Sequence, residues 1–299
     1  MRSLHLRCRD SRKILEFSHS PISYIESGYI GSVIDVSKSN TLTVRIFGGL
    51  LFAVPTLTAV VLGDPWWTAF FAVVVLIGAR ELNALFCAAG HQSSVRVTAL
   101  TALAVFAGVR FPELPLLLPA LSLVMMGSFA LHLRHADRRV GDWALAFAGG
   151  LYLGWTAGHL AELRVLADGV WWLGLAIGAT WATDSGAYLI GRSLGRHKLA
   201  PRISPGKTWE GWVGGLIVGA AVGAAIGAAG PVGWPAGLFA GTLVGALSVF
   251  GDLIESMIKR QANAKDSGHL IPGHGGILDR IDSLLWSGVI VFYVSLYVR

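Results

Sequence analysis

The sequence predicts an all-α integral membrane protein, a polytopic bundle of about nine transmembrane helices with a cytoplasmic N-terminus. Three observations carry that prediction. Only 14% of the 299 residues are charged and 54% are hydrophobic, where a soluble domain of this size carries about a quarter charged residues. Apolar stretches of about 20 residues, long enough to cross a bilayer as helix, recur along the chain. The basic residues gather in alternate connections, as they do when loops alternate between two sides of a membrane.

In chain order, residues 1–40 are polar, hold Arg2, Arg7, Arg9, Arg12, Lys13 and Lys38, and lack the apolar core of a signal peptide. They are expected to form a weakly ordered cytoplasmic extension. The spans follow at roughly 44–63, 66–88, 95–110, 114–132, 143–161, 170–190, 212–230, 234–254 and 283–298. Lipid offers no partner for unpaired backbone groups, so each should be a helix. Pro55 is a candidate kink in the first. The run 213–230 places small residues at every third or fourth position, which suits close helix packing. The chain divides into the extension (1–40), N-terminal transmembrane helices (41–165) and a C-terminal catalytic transmembrane region (166–299).

With the N-terminus inside, the tail, Arg45, Arg96, Arg134, Arg138, Arg139 and all basic residues of 192–207 and 259–280 are cytoplasmic. Arg110, Arg164 and Arg299 remain outside, and Arg80 falls within the second span. The net charge of +6 is therefore a topology signal, and no nucleic-acid partner is expected. Cys8 and Cys87 lie far apart in unlike contexts, so neither a disulfide framework nor a thiolate metal site follows.

Two cytoplasmic segments are too rich in chemistry to be connectors. One runs from Trp181 and Asp184 through GRSLGRHKLAPRISPGKTWEG; the other runs from Gly251 to Asp282. Asp184 lies in an apolar span, where a charge is costly. Asp252 and Glu255 share a helical face, and Asp279 and Asp282 repeat the spacing. Carboxylates converging on one membrane boundary suit Mg²⁺ carrying substrate phosphates, although for either pair alone a helix cap or surface role is the better reading. The turn Ser204-Pro205-Gly206-Lys207-Thr208 lacks the glycine spacing of a Walker A loop. It still offers backbone N–H groups, hydroxyls and an ammonium to phosphate oxygens. His274, with Gly275 and Gly276 beside it, is a better candidate for ligand contact than His197 or His269, because glycine lets backbone approach closely. Lys259, Arg260, Lys265 and Arg280 are candidates for holding a lipid phosphate or pyrophosphate, or are ordinary inside charge.

At these residues the sequence resembles the phosphatidate cytidylyltransferase (CDP-diglyceride synthase) family. Ser256, Lys259, Arg260, Lys265, Asp266, Gly268, Ile271, Pro272, His274, Gly275, Gly276, Asp279, Arg280 and Asp282 fill that family's pattern without a gap. Trp181, Asp184, Ser185, Ala187 and Tyr188, and the stretch from Ile203 to Gly211, are similar to it too.

The resemblance implies a homodimeric, multi-pass enzyme of the cell (inner) membrane with its active site facing the cytoplasm. By position, Asp252 and Asp279 would hold Mg²⁺, with a monovalent cation such as K⁺ beside it, and Asp184, Lys207 and Asp282 would complete the site. Ser204, Gly206 and Thr208 would bind the triphosphate of CTP. A phosphate oxygen of phosphatidate would attack its α-phosphorus. That oxygen is already anionic at neutral pH, so no general base is assigned and His274 is a positioning or phosphate-contacting residue. A CTP-dependent lipid kinase of the polyprenol or phytol type is the nearer alternative. An ion-coupled transporter is the remoter one, since transporter sites lie near the membrane midplane.

Overall fold

The computed structural model describes residues 36–115, 117–134, 139–271 and 275–298. Ten helices and one short hairpin lie among them: α1 (Val36–Leu62), α2 (Trp66–Ala88), α3 (Val95–Arg110), α4 (Leu117–His132), α5 (Val140–Leu163), α6 (Gly169–Leu194), β1 (Lys198–Ala200), β2 (Ser204–Thr208), α7 (Trp209–Ala229), α8 (Trp234–Leu247), α9 (Val249–Gln261) and α10 (Leu278–Tyr297). Three stretches are long and apolar enough to cross a membrane, namely α2, α7 and the continuous rod Trp234–Gln261 made by α8 and α9. The helix α1 starts at Val36 and runs unbroken through Pro55.

Glycine sets the packing of the second half. A Cβ at Gly223 would lie 2.8 Å from Gly241 Cα, and one at Gly227 or Gly241 would lie 3.0 Å from Gly237 Cα or Gly223 Cα. The backbones of α7 and α8 therefore touch, and Trp212 Nε1 donates across the seam to the Ala246 carbonyl at 3.1 Å. On its other side α7 meets α6, where a Cβ at Gly215 would fall 2.8 Å from the Thr183 carbonyl oxygen. Helices in lipid gain nothing from leaving water, so close van der Waals contact of this kind is the main source of cohesion.

The first half packs α3 against α5 and both against α2, around Trp67, Phe71, Leu85, Leu153, Leu160 and Leu163. Helix α10 joins the halves by lying against α2, α5, α6, α8 and α9. Thr180 Oγ1 bonds Ser287 Oγ at 2.6 Å between α6 and α10, and the His159 ring meets Phe292 edge-on at 4.8 Å between α5 and α10.

Polar contacts sort the connections onto two ends. At one end Arg110 ion-pairs Asp64 at 2.8 Å and Glu162 at 3.3 Å, drawing the α1–α2 loop, the end of α3 and the end of α5 together. At the other, His91 after α2 meets Asp142 at the start of α5 at 3.2 Å. Arg80 points outward from α2, whereas its neighbour Glu81 turns inward at that second end.

Candidate active site

The end that holds His91 and Glu81 also gathers the acidic and basic residues singled out from the sequence. The hairpin comes first. β1 and β2 pair antiparallel, Lys198 with Thr208 and Ala200 with Ser204, so the segment expected as a loop is a two-stranded ribbon between α6 and α7. Thr208, expected to touch phosphate, is buried, and its hydroxyl accepts from Gly211 N at 3.1 Å as the N-cap of α7. Glu210 accepts from the backbone of Arg196 and from His197, which ties the ribbon's root to the same helix. Gly206 at the tip has open space around it. Beside it Lys207 points back to Asp252, Nζ to Oδ2 at 2.7 Å.

Asp252 stands in the first turn of α9 and also accepts from Ser256 Oγ at 2.9 Å. Gly251 just before it allows α9 to cross α10 closely, since a Cβ there would lie 2.7 Å from Trp286 Cδ1. That crossing brings Asp252 and Asp282 within electrostatic reach of each other, and both sense Asp184 on α6. Four of the five residues expected to be catalytic therefore form one cluster: Asp184, Lys207, Asp252 and Asp282.

The fifth, Asp279, adjoins it in a different setting. Its Oδ1 takes the Lys259 ammonium at 2.6 Å. Its Oδ2 accepts from Ser267 N at 2.8 Å, Ser267 Oγ at 2.9 Å and Gly276 N at 2.8 Å. Burial pushes this carboxyl upward, but Lys259 and the two backbone donors outweigh it and hold Asp279 below the ordinary carboxylate range. Lys259, expected to meet substrate, is instead enclosed between Asp279 and Glu255, 3.3 Å from Glu255 Oε1. That Glu255 oxygen is buried and makes no hydrogen bond.

The glycines, too, lie against carboxylates. Gly275 has φ +81°, and a Cβ there would lie 2.5 Å from Asp279 Oδ2. A Cβ at Gly276 would lie 2.5 Å from Glu81 Oε2. The space that a side chain would need is filled by the protein's own carboxylates, which requires glycine at both positions. Arg260 donates to the carbonyls of Ile203 and Ala264, both at 3.3 Å, pinning the ribbon to the end of α9. Lys265 and Arg280 are exposed and free for an anion among the described residues. His274 lies outside the described residues.

Sequence reasoning missed Glu81 altogether. Its carboxylate accepts from Ile277 N at 3.0 Å, Leu278 N at 2.9 Å and Ser267 Oγ at 3.0 Å. The available signal was an acid, next to Arg80, within the mostly apolar run 66–88.

Among the described residues no three His, Cys, Asp or Glu side chains converge as a ready-made metal cage. Mg²⁺ seldom uses one; it keeps waters and takes one or two carboxylates together with substrate phosphates. The donor set fits that mode. Asp252 is half-exposed with a single ammonium on it, so one of its oxygens can be given up to a cation and its phosphates.

Residues 43–298 match the family model described as the cytidylyltransferase family. A protein of Pseudomonas aeruginosa named phosphatidate cytidylyltransferase is 40% identical over 231 residues, 73% of this chain and 83% of that one. Proteins of the same name from Haemophilus influenzae and Bacillus subtilis are 48% identical over 110 residues and 41% over 140. Those two alignments span 35% and 46% of this chain, and 38% and 52% of the relatives' own lengths. On a match that runs from the first apolar span through the carboxylate cluster to the last helix, the chain belongs to the cytidylyltransferase family.

Proposed function

We propose that this protein is a phosphatidate cytidylyltransferase that transfers CMP from CTP to phosphatidate, giving CDP-diacylglycerol and pyrophosphate for phospholipid synthesis. The observation that carries the reading is the pair of carboxylate–ammonium contacts, Lys207 with Asp252 and Lys259 with Asp279, at one end of a bundle of apolar helices. Both substrates are strongly anionic, and one of them cannot leave the membrane. A site for them needs cations and exchangeable carboxylates at a lipid–water boundary.

Lys207, beside the open tip at Gly206, exchanges Asp252 for the triphosphate oxygens, and the Gly206 backbone at that tip adds an N–H donor. Lys265 and Arg280 take the phosphatidate headgroup or the departing pyrophosphate. Asp252 and Asp279 would hold Mg²⁺, with Asp184 and Asp282 enlarging the negative field and a monovalent cation such as K⁺ as its neighbour. When bound, the divalent ion neutralises triphosphate charge and stabilises the leaving pyrophosphate. Lys259 keeps Asp279 ionised and oriented. No side chain needs to accept a proton, because the attacking oxygen arrives as an anion.

The same reading places nine crossings in the cell (inner) membrane, with α8 and α9 as one rod, the N-terminus inside and the site facing the cytoplasm. It is supported by the sorting of alternate loops onto opposite ends, Asp64, Arg110 and Glu162 at one and Asp142, Lys207 and Asp279 at the other. Homodimerisation belongs to the reading through the family resemblance, and mass measurement in detergent checks it.

The decisive assay is purified protein in mixed micelles with phosphatidate, labelled CTP and Mg²⁺, with and without EDTA. CDP-diacylglycerol and pyrophosphate should form and should vanish with the chelator. CDP formed together with a phosphorylated lipid alcohol would replace this reading with a lipid kinase.

A further inference from the structure

Helix α10 begins without a side-chain cap of its own: its N-cap residue is Ile277. The missing acceptor comes from α2, because Glu81 Oε1 takes Ile277 N and Oε2 takes Leu278 N. A cap alone would be a structural matter. Glu81 does more, because the oxygen that accepts Leu278 N also lies 3.0 Å from Ser267 Oγ, and that hydroxyl lies 2.9 Å from Asp279 Oδ2. Ser267 thus stands between two carboxylates while its backbone N–H holds the second of them at 2.8 Å. The fit around Glu81 is tight, for a Cβ at Gly268 would come within 2.8 Å of its Oε1 and one at Gly276 within 2.5 Å of its Oε2.

We propose that Glu81 is a positioning residue for Asp279, acting through Ser267 and through the start of α10. Two backbone amides, Ser267 N and Gly276 N, hold Oδ2 against rotation, and the one Ser267 hydroxyl proton is shared between Oδ2 and Glu81 Oε2. Only Oδ1 remains exchangeable, now held by Lys259 and available to the reacting phosphates and their cation. Glu81 fixes both supports at once: the Ser267 hydroxyl from one side and the two amides leading into Asp279 from the other. The N-terminal half of the bundle thereby sets the geometry of a reaction whose residues all lie in the C-terminal half. The inference rests on the cytidylyl-transfer reading of the cluster.

The test uses full-length protein in detergent with Glu81→Gln, Ser267→Ala and the double substitution. Gln keeps the shape but turns one acceptor into an amide donor facing an N–H group. Hydrogen-bond partners of a reacting or ligating carboxylate are worth about 10–100-fold in activity or metal affinity. Glu81→Gln should therefore lower kcat by about 10–100-fold and raise the half-saturating Mg²⁺ concentration, with KM for CTP changing less than about threefold. The double variant should be no slower than Glu81→Gln alone, since the two residues act along one path. Losses that multiply, or a wild-type kcat in Glu81→Gln, would overturn the proposal. Should Glu81→Gln fail to fold, Ser267→Ala decides, because it cuts the link and leaves the cap. A lowered kcat at an unchanged unfolding midpoint supports the proposal, and a wild-type kcat refutes it. Hydrogen exchange at Ser267, Ile277 and Leu278 separates this failure from that of the reading. If wild type turns over no phosphatidate, the reading falls; the clasp stands only if those amides are protected in wild type and lose protection in Glu81→Gln.

Discussion

Asp252 and Asp279 carry the same charge and the same expected role, yet their surroundings make them respond differently to substitution. Asp252 is half-exposed, with one ammonium and one hydroxyl on it. Asp279 is enclosed and balances Lys259, itself enclosed. Asp252→Asn should abolish turnover while moving the thermal midpoint little. Asp279→Asn should abolish turnover and also destabilise the fold, by up to about 3–5 kcal/mol for a buried charge that loses its closer partner and keeps only Glu255. Activity assays and thermal unfolding on both variants check this; equal midpoints would mean that Glu255 alone suffices as counter-ion to Lys259. The candidate cluster was legible in the sequence because Asp252, Asp279, Lys207 and their neighbours fall within dense polar segments. Their partners were not. Lys259 looked like a substrate cation until Asp279 and Glu255 were seen to enclose it, and Glu81 was hidden because the donors it accepts from lie 186–197 residues away.

Among the elements, the α7–α8 contact was the most legible, since small residues at helical spacing directly report close approach. The hairpin was the least legible. Pro205 and Gly206 are poor strand formers, and only pairing with Lys198–Ala200 and the Thr208 cap make 204–208 a strand. The glycine seam gives a sharp prediction. Gly237→Leu puts a branched side chain where a Cβ already lies 3.0 Å from Gly227 Cα. The two backbones must separate, at a cost of about 1–3 kcal/mol or more. Loss of a monodisperse peak in detergent size exclusion is the expected result. A neighbouring lipid-facing change, Phe239→Leu, should leave the peak intact, because Phe239 is exposed.

At the scale of the whole molecule, the end opposite the site is held by charge. Arg110 ties Asp64 and Glu162, and its Nε donates to Thr68 Oγ1 at 2.9 Å. Burial tends to raise the Asp64 carboxyl, but hydrogen bonds from Thr68 and Arg110 together with the Arg110 charge hold it below the ordinary value. A depressed carboxylate stabilises the fold fully above its unfolded pKa of about 3.9, and that stabilisation fades as pH falls through the folded value. Unfolding midpoints measured from pH 6 down to about 3 should therefore drop more steeply in wild type than in Asp64→Asn. Parallel curves would remove Asp64 from the acid response. The clasp from Glu81 to Ser267 and α10 has a consequence for how the protein is made. At about 5–20 residues per second, roughly 10–40 s of translation separate Glu81 from its partners. Through that interval an unpaired acid sits in a helix already handed to the membrane, at a cost of a few kcal/mol. The nascent chain is then most open to a membrane protease or an insertion chaperone, and the arrival of α10 ends the exposure.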